Sequence, residues 1–269
     1  MEKVYISVDL EGLNGVVYDH QTNKSGGIAY DQVCKELHTE LKLITETLTA
    51  NGVKYITIND AHTKMDNLIL EGLPDNVELI SGKPKPVSMV HGLDSSYSAL
   101  FLIGYHSPAG SDRGVLAHTF NHSFKTVKLN NQIVSEAQLN ALYAGLNNVP
   151  VALATGDDFF CKYIENTFNN IQTVTTKYAI SFNSARMRPK KEYYNDLKES
   201  IVKAINAPEK WFLYKLTAPY KIEIEFKEKI NAETCCYLPC VSVDNSTVTF
   251  ESMNYEEVYK FLQFMSAVF

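Results

Sequence analysis

Asp9 and Glu11 stand two residues apart at the end of the first apolar run, Val4-Tyr5-Ile6. In an extended chain such residues point to the same face, so the two carboxylates lie side by side. Like charges that close repel, and the pair needs a cation, a shared proton or water. Gly12 then permits a sharp turn of the backbone. Asp60 follows a second apolar run and opens the polar stretch Asp60-Ala61-His62-Thr63-Lys64. His106 comes after Leu100-Phe101-Leu102-Ile103 and a glycine, His118 sits in the loop Gly114–His122, and Glu136 starts a helix. Each has an ordinary structural reading as well. Asp60 could cap a helix, His106 could be a satisfied core histidine, and Glu136 could favour a helix dipole. His118 could be a surface histidine of no special role.

Taken together, Asp9, Glu11, Asp60, His106 and Glu136 offer four carboxylates and one imidazole. That donor set suits one or two divalent cations of the Zn, Mn or Co kind better than a thiolate-rich structural zinc site. Two metals ~3.5–4 Å apart share a bridging carboxylate, polarise a carbonyl and orient both substrate ends. A remaining histidine, His118 or His62, is left to move protons as general acid or base. The residue types therefore read as a metallohydrolase with its substrate open. Asp157 and Asp158 read as caps of the helix that follows them.

The elements needed to position these groups are visible in the apolar spacing. Val33, Leu37, Leu41, Ile44 and Leu48 recur at helical intervals, with Asn51-Gly52 as the stop. Val53–Ile58, Val77–Ile80, Leu100–Ile103 and Val151–Ala154 are short apolar strands. Lys83-Pro84-Lys85-Pro86 is a rigid loop. Asn130-Asn131 marks a hairpin between Val127–Leu129 and Ile133–Val134. Continuously apolar strands alternating with helices predict an α/β fold, a mostly parallel sheet with helices on both faces. Ligands in such sheets bind beyond the carboxyl ends of the strands, where Asp9, Glu11, Asp60 and His106 all fall. The texture changes after about residue 165. A strand over Val174–Ile180, a helix from Pro189 carrying Tyr193, Leu197, Ile201 and Ile205 and closed by Pro208, and the alternating strand Lys221–Phe226 follow. Strands on either side of Asp244-Asn245-Ser246 and a last helix over Tyr255–Met265 complete the chain. The expected organisation is a metal-binding catalytic α/β domain over 1–165 and a smaller α+β domain over 166–269.

Composition narrows the partners. The 269 residues carry a net charge of −6 with no run of five or more Lys or Arg, which argues against nucleic acid and anionic membranes. No apolar stretch reaches the ~18 residues of a spanning helix. The N-terminus enters a strand directly, without the apolar region of a signal peptide, and the expected location is cytoplasmic. The five cysteines lack zinc-knuckle spacing and read as free thiols.

A family resemblance adds to this reading. Ser7-x-Asp9-x-Glu11-Gly12-x-x-Gly15, Asn59-Asp60-x-His62-x-x-Met65-x-Asn67-Leu68, Ser81-Gly82-x-x-Lys85-Pro86-x-Ser88-Met89-Val90-x-Gly92-Leu93-Asp94, Gly104-Tyr105-His106, His118 and Glu136 resemble the zinc-dependent D-aminopeptidases, first named as dipeptide-transport proteins. The likeness spans nearly the whole chain and weakens after about residue 185. It implies an aminopeptidase that releases N-terminal D-residues such as D-Ala from short peptides, through a water activated by two zinc ions per subunit. Mn or Co are the alternative metals. The resemblance makes Asp9, Glu11, Asp60, His106 and Glu136 the metal ligands and His118 the catalytic residue. It also implies a homo-oligomer, a decamer enclosing a chamber. Ser107, where alanine is common, and Ser135, where glycine is expected, depart from the pattern beside the site. The rival readings are a metallohydrolase of another amide or ester and a non-catalytic peptide-binding component of a transport system.

Overall fold

The computed structural model describes residues 1–207, 211 and 213–269. The expected helix closure at Pro208 lies outside them. In chain order the elements are β1 (Lys3–Val8), α1 (Ile28–Ala50), β2 (Tyr55–Asp60), β3 (Val77–Ile80), β4 (Ala99–Tyr105), β5 (Phe124–Leu129) and β6 (Gln132–Ile133). Then come α2 (Glu136–Leu146), β7 (Val151–Asp157), α3 (Asp158–Thr167), β8 (Gln172–Ser181), β9 (Ser184–Met187) and α4 (Lys190–Asn206). The chain ends with β10 (Tyr220–Phe226), α5 (Lys229–Cys235), β11 (Ser242–Asp244), β12 (Thr247–Ser252) and α6 (Tyr255–Val268).

Seven strands form one sheet in the order β3-β2-β1-β4-β7-β8-β9, parallel except for the β8–β9 pairing. Every residue of β4 and β7 is buried, as expected of strands covered on both faces. One face packs Val4, Ile6 and Val8 against α1 and α4. The other packs Tyr5, Leu100 and Leu102 against α2, α3, α6 and a second, antiparallel sheet of order β11-β12-β10-β5-β6. The mostly parallel α/β architecture with a smaller antiparallel layer is thus the fold the apolar pattern predicts.

Packing rather than local signals holds α1. Its N-cap, Gly27, supplies no side-chain hydrogen bond, but Leu37, Leu41, Ile44 and Leu48 are almost fully buried. Each such side chain contributes about 1.5–3 kcal/mol, against roughly 1 kcal/mol for a cap. The Asn130-Asn131 turn has positive φ at both residues, as a primed hairpin turn demands.

The expected division at residue 165 does not follow sheet membership. β8 and β9 lie after that point yet complete the parallel sheet, and α4 packs beside α1. Conversely β5 and β6, from residues 124–133, belong to the antiparallel sheet. The two layers are interleaved along the chain.

Register sets the site. Val8 is level with Asp60 on one side and with Ile103 on the other, so β1 and β2 end together and β4 runs two residues further, to Tyr105. From β1 the chain order runs outward to β2 on one side and to β4 on the other, which opens a crevice between the ends of β1 and β4. Close approach there requires glycine. A Cβ on Gly12 would meet the Tyr105 carbonyl oxygen at 2.0 Å, and one on Gly104 (φ +73°) would meet the Asp9 carbonyl oxygen at 2.2 Å. Gly12 N–H donates to the Gly104 carbonyl at 2.8 Å.

Two outcomes follow for stability. Gly12→Ala forces the β1 and β4 ends apart and should cost about 3 kcal/mol, the upper end of overpacking, read from the denaturant midpoint. Between α1 and α4, Tyr193 Oη donates to the buried Glu40 Oε1 at 2.6 Å, and burial raises the Glu40 pKa from 4.5 to about 7. A carboxyl held protonated in the fold but ionised when unfolded loses stability as pH rises from about 4.5 through about 7. Glu40→Gln should therefore melt higher than the unmodified protein at pH 8, by up to about 3 kcal/mol, and the gain should vanish at pH 4.

Candidate metal centre

Leu10 turns into the core while Asp9 and Glu11 face the crevice, as the i, i+2 spacing predicts. The turn that carries them is held from within. Lys177 on β8 is fully buried and donates to the carbonyls of Glu11 (2.5 Å), Leu13 (2.9 Å) and Val16 (2.7 Å). Among the described residues the Glu11 and Val16 carbonyls have no other donor, whereas that of Leu13 also accepts from Val16 N–H. Burial lowers the Lys177 pKa to about 7.

Four further side chains meet the pair. His62 Nδ1 lies 2.9 Å from Asp9 Oδ1 and 3.1 Å from Glu11 Oε2. Its Nε2 lies 2.9 Å from the Thr22 carbonyl, and donation there leaves Nδ1 as the atom facing the carboxylates. His106 Nε2 lies 3.3 Å from Asp9 Oδ2 and 3.6 Å from Glu136 Oε1. Asp9 thus aims one oxygen at each histidine. Glu136 is the first residue of α2, behind a capping box in which Ser135 Oγ accepts from Gln138 N–H. Its Oε1 also accepts from Phe120 N–H at 2.5 Å. Ser135, the departure from the family pattern, is therefore the helix cap.

His118 stacks on His106 with ring centroids 4.1 Å apart and on His122 at 4.3 Å. Its Nδ1 donates to the Leu116 carbonyl at 2.8 Å, and its Nε2 lies 3.9 Å from Glu136 Oε1. His122, at the outer end of the stack, lies 3.3 Å from Asp19.

Asp60 sits elsewhere. Its Oδ2 accepts from Asn67 N–H at 2.5 Å and its Oδ1 from Asn67 Nδ2 at 2.8 Å. Being level with Val8 in a parallel ladder, it points to the α1 side of the sheet, where Tyr30 Oη donates to Asn67 Oδ1 at 2.7 Å. His62, two residues further, reaches the crevice instead. The structure brings Asp9, Glu11, His106, Glu136 and His118 together with His62, and leaves the Asp60 carboxylate supporting the loop that carries His62.

Two groups have ligand atoms within 4.8 Å of one another: Asp9, Glu11 and His62, and His106, His118 and Glu136. Glu11 Oε2 and His106 Nε2 are buried without hydrogen-bond partners. Buried polar atoms left so are rare and call for an ion or water. Burial opposes charge on all these groups, but mutual attraction outweighs it for three. His106 and His62 hold the Asp9 carboxyl well below its usual range. Glu11 and Asp9 raise His62 well above its own, and Glu136 and Asp9 lift His106 to about 10. Protons on His62 and His106 thus balance the carboxylates, and a divalent cation bound there displaces them. Burial, with Asp9 and Glu11 adding to it, raises Glu136 to about 7. Burial and the charges of His106 and His122 push His118 well below the usual histidine range, so it stays neutral and able to accept a proton.

The centre forms the floor of a 790 Å³ cleft whose walls include Asp19, Phe120, Asn121 and His122, Lys64 to Asp66, Lys83 and Pro84, and Ser266 and Ala267 from α6.

Comparisons with known proteins converge on one family. The family described as D-aminopeptidase matches residues 2–264. A D-aminopeptidase of Bacillus subtilis (strain 168) is 31% identical over 268 residues, which is 98% of this chain and 96% of that protein. Among solved structures, the Zn-dependent D-aminopeptidase DppA from Bacillus subtilis, described as a self-compartmentalizing protease, superposes with a TM-score of 0.94 at 29% identity. The match covers 99% of this chain and 97% of that one.

The geometry separates His62 from Asp60 by experiment. In zinc titrations, His62→Ala should weaken binding by about a hundredfold or more. Asp60→Asn, which disturbs only the support behind a ligand, should cost about tenfold.

Proposed function

The chain belongs to the D-aminopeptidase family, and from that premise we propose that it releases N-terminal D-amino acids, of the D-Ala kind, from short peptides at a centre of two zinc ions. The observation that carries this reading is the placement of Asp9 between two histidines, one oxygen toward each, beside buried polar atoms without partners. Asp9, Glu11 and His62 would hold one ion, and His106 and Glu136, on the other side of Asp9, would hold the second. Carboxylates and imidazoles without thiolate are the donors of catalytic rather than structural zinc. The zinc dependence of the similar solved protein supports the choice of metal.

Zinc bound there supplies Lewis acidity and a water of lowered pKa. The remaining chemistry falls to the protein. His118 is fixed by its Nδ1–H bond to the Leu116 carbonyl, so Nε2 keeps its lone pair toward the cleft. Kept neutral, it takes the proton of the attacking water and delivers it to the leaving amine. The free α-amine of a peptide lodges at this floor, which places the N-terminal residue at the centre and makes the enzyme an exopeptidase. Burial of the floor excludes bulk water and strengthens the polar contacts made there. By analogy with the self-compartmentalizing relative, the subunits assemble into a homo-oligomer that encloses the clefts, and the cytoplasm remains the expected location. Among the described residues no helix is long and apolar enough to cross a membrane.

Release of D-Ala from D-Ala-D-Ala tests the reading directly. Metal-stripped enzyme should be inactive and regain activity with zinc. His118→Ala should lose about 10²–10⁴ in kcat while keeping its zinc content. Full activity in either preparation would sink the mechanism, and equal turnover of L-Ala-L-Ala would remove the D-specific part.

A further inference from the structure

The wall of the cleft carries a feature that the hydrolytic centre does not use. Lys64 and Lys83 both line it, and among the described residues neither has a carboxylate oxygen within 4.0 Å. Their neighbour Asp66 is already paired, with Lys24 at 2.5 Å. The two lysine-bearing loops are tied together through one carbonyl, that of Met65, which accepts from Ser81 Oγ at 2.9 Å and from Gly82 N–H. The Lys83 loop is tied in turn to the end of β2, because the buried Lys85 donates to the Asp60 carbonyl at 2.6 Å. The lysines therefore stand on loops joined through fixed backbone, two residues beyond His62 in one case and one beyond Gly82 in the other. Burial and the nearby Lys64 charge both push the Lys83 pKa down.

Two ammonium groups on the wall of one cleft repel, and a carboxylate bound between them relieves the repulsion through charge-assisted hydrogen bonds. The aminopeptidase reading puts the amine end of a peptide at the floor of the cleft, and the wall carries these two lysines beside an Asp66 already paired with Lys24. A short peptide with free ends has a carboxylate at its other end. We propose that Lys64 and Lys83 form a subsite for the C-terminal carboxylate of the peptide. A free C-terminus and short length are then recognised by the cleft of a single subunit. The inference rests on the aminopeptidase reading for the direction in which the peptide lies.

Calorimetry on the His118→Ala enzyme, loaded with zinc, compares D-Ala-D-Ala with its C-terminal amide. Both lysines are partly in water, so the expected preference for the free acid is about tenfold rather than the larger factor of a buried pair. Adding Lys64→Met and Lys83→Met together should bring that preference close to one with the affinity for the amide and the melting temperature unchanged. Equal binding of acid and amide, survival of the preference in the double lysine variant, or no binding of either peptide overturns the subsite. Turnover of the same peptides by the unsubstituted enzyme is a separate readout. No turnover with the carboxylate preference intact would overturn the aminopeptidase reading and leave the subsite standing.

Discussion

Three carboxylates, Asp9, Glu11 and Glu136, are buried around one crevice, and the structure answers their repulsion with imidazoles rather than with lysine or arginine. Removing such charges from water costs several kcal/mol each, so the cluster persists only where cations compensate it. The rest of the fold can be understood as the frame for that compensation. A common register ends β1 and β2 at one level beside β4, two glycines let the ends of β1 and β4 touch, and the cap of α2 delivers Glu136 from the other layer. His62 and His106 then occupy the positions where positive charge is required.

Much of this was legible in the amino-acid sequence, because it depends on short-range periodicity. Asp9-x-Glu11 shares a face by strand geometry alone, and an apolar run followed by glycine places His106 beyond a strand end. The pairing of Asp60 with His62 was harder. Both follow the same strand, and only the register against β1 shows that Asp60, level with Val8, points away from the crevice. The signal available was the repetition of the Asp9-x-Glu11 spacing in Asp60-x-His62, with the second member again the one that reaches the site. Register between strands is a long-range property, and one chain read by itself does not reveal it.

The layer boundary was lost for a similar reason. The change in texture after residue 165 is real, since β10 alternates between buried and half-buried positions. It marks which strands have a wet face, and the two sheets it distinguishes are interleaved along the chain. β5 mixes buried and exposed positions from within the first half of the chain, while β8 extends the parallel sheet from the second.

Lys177 adds a consequence for the order in which the molecule is made. Every candidate ligand lies before residue 137, yet the ammonium that holds the Glu11–Val16 turn is contributed from more than 160 positions further along. While the chain is being synthesised, the first strands and their acidic turn emerge with those carbonyls still bonded to water. The bonds from Lys177 form only once β8 has been laid against β7. Full support of the acidic turn is thereby tied to completion of the parallel sheet.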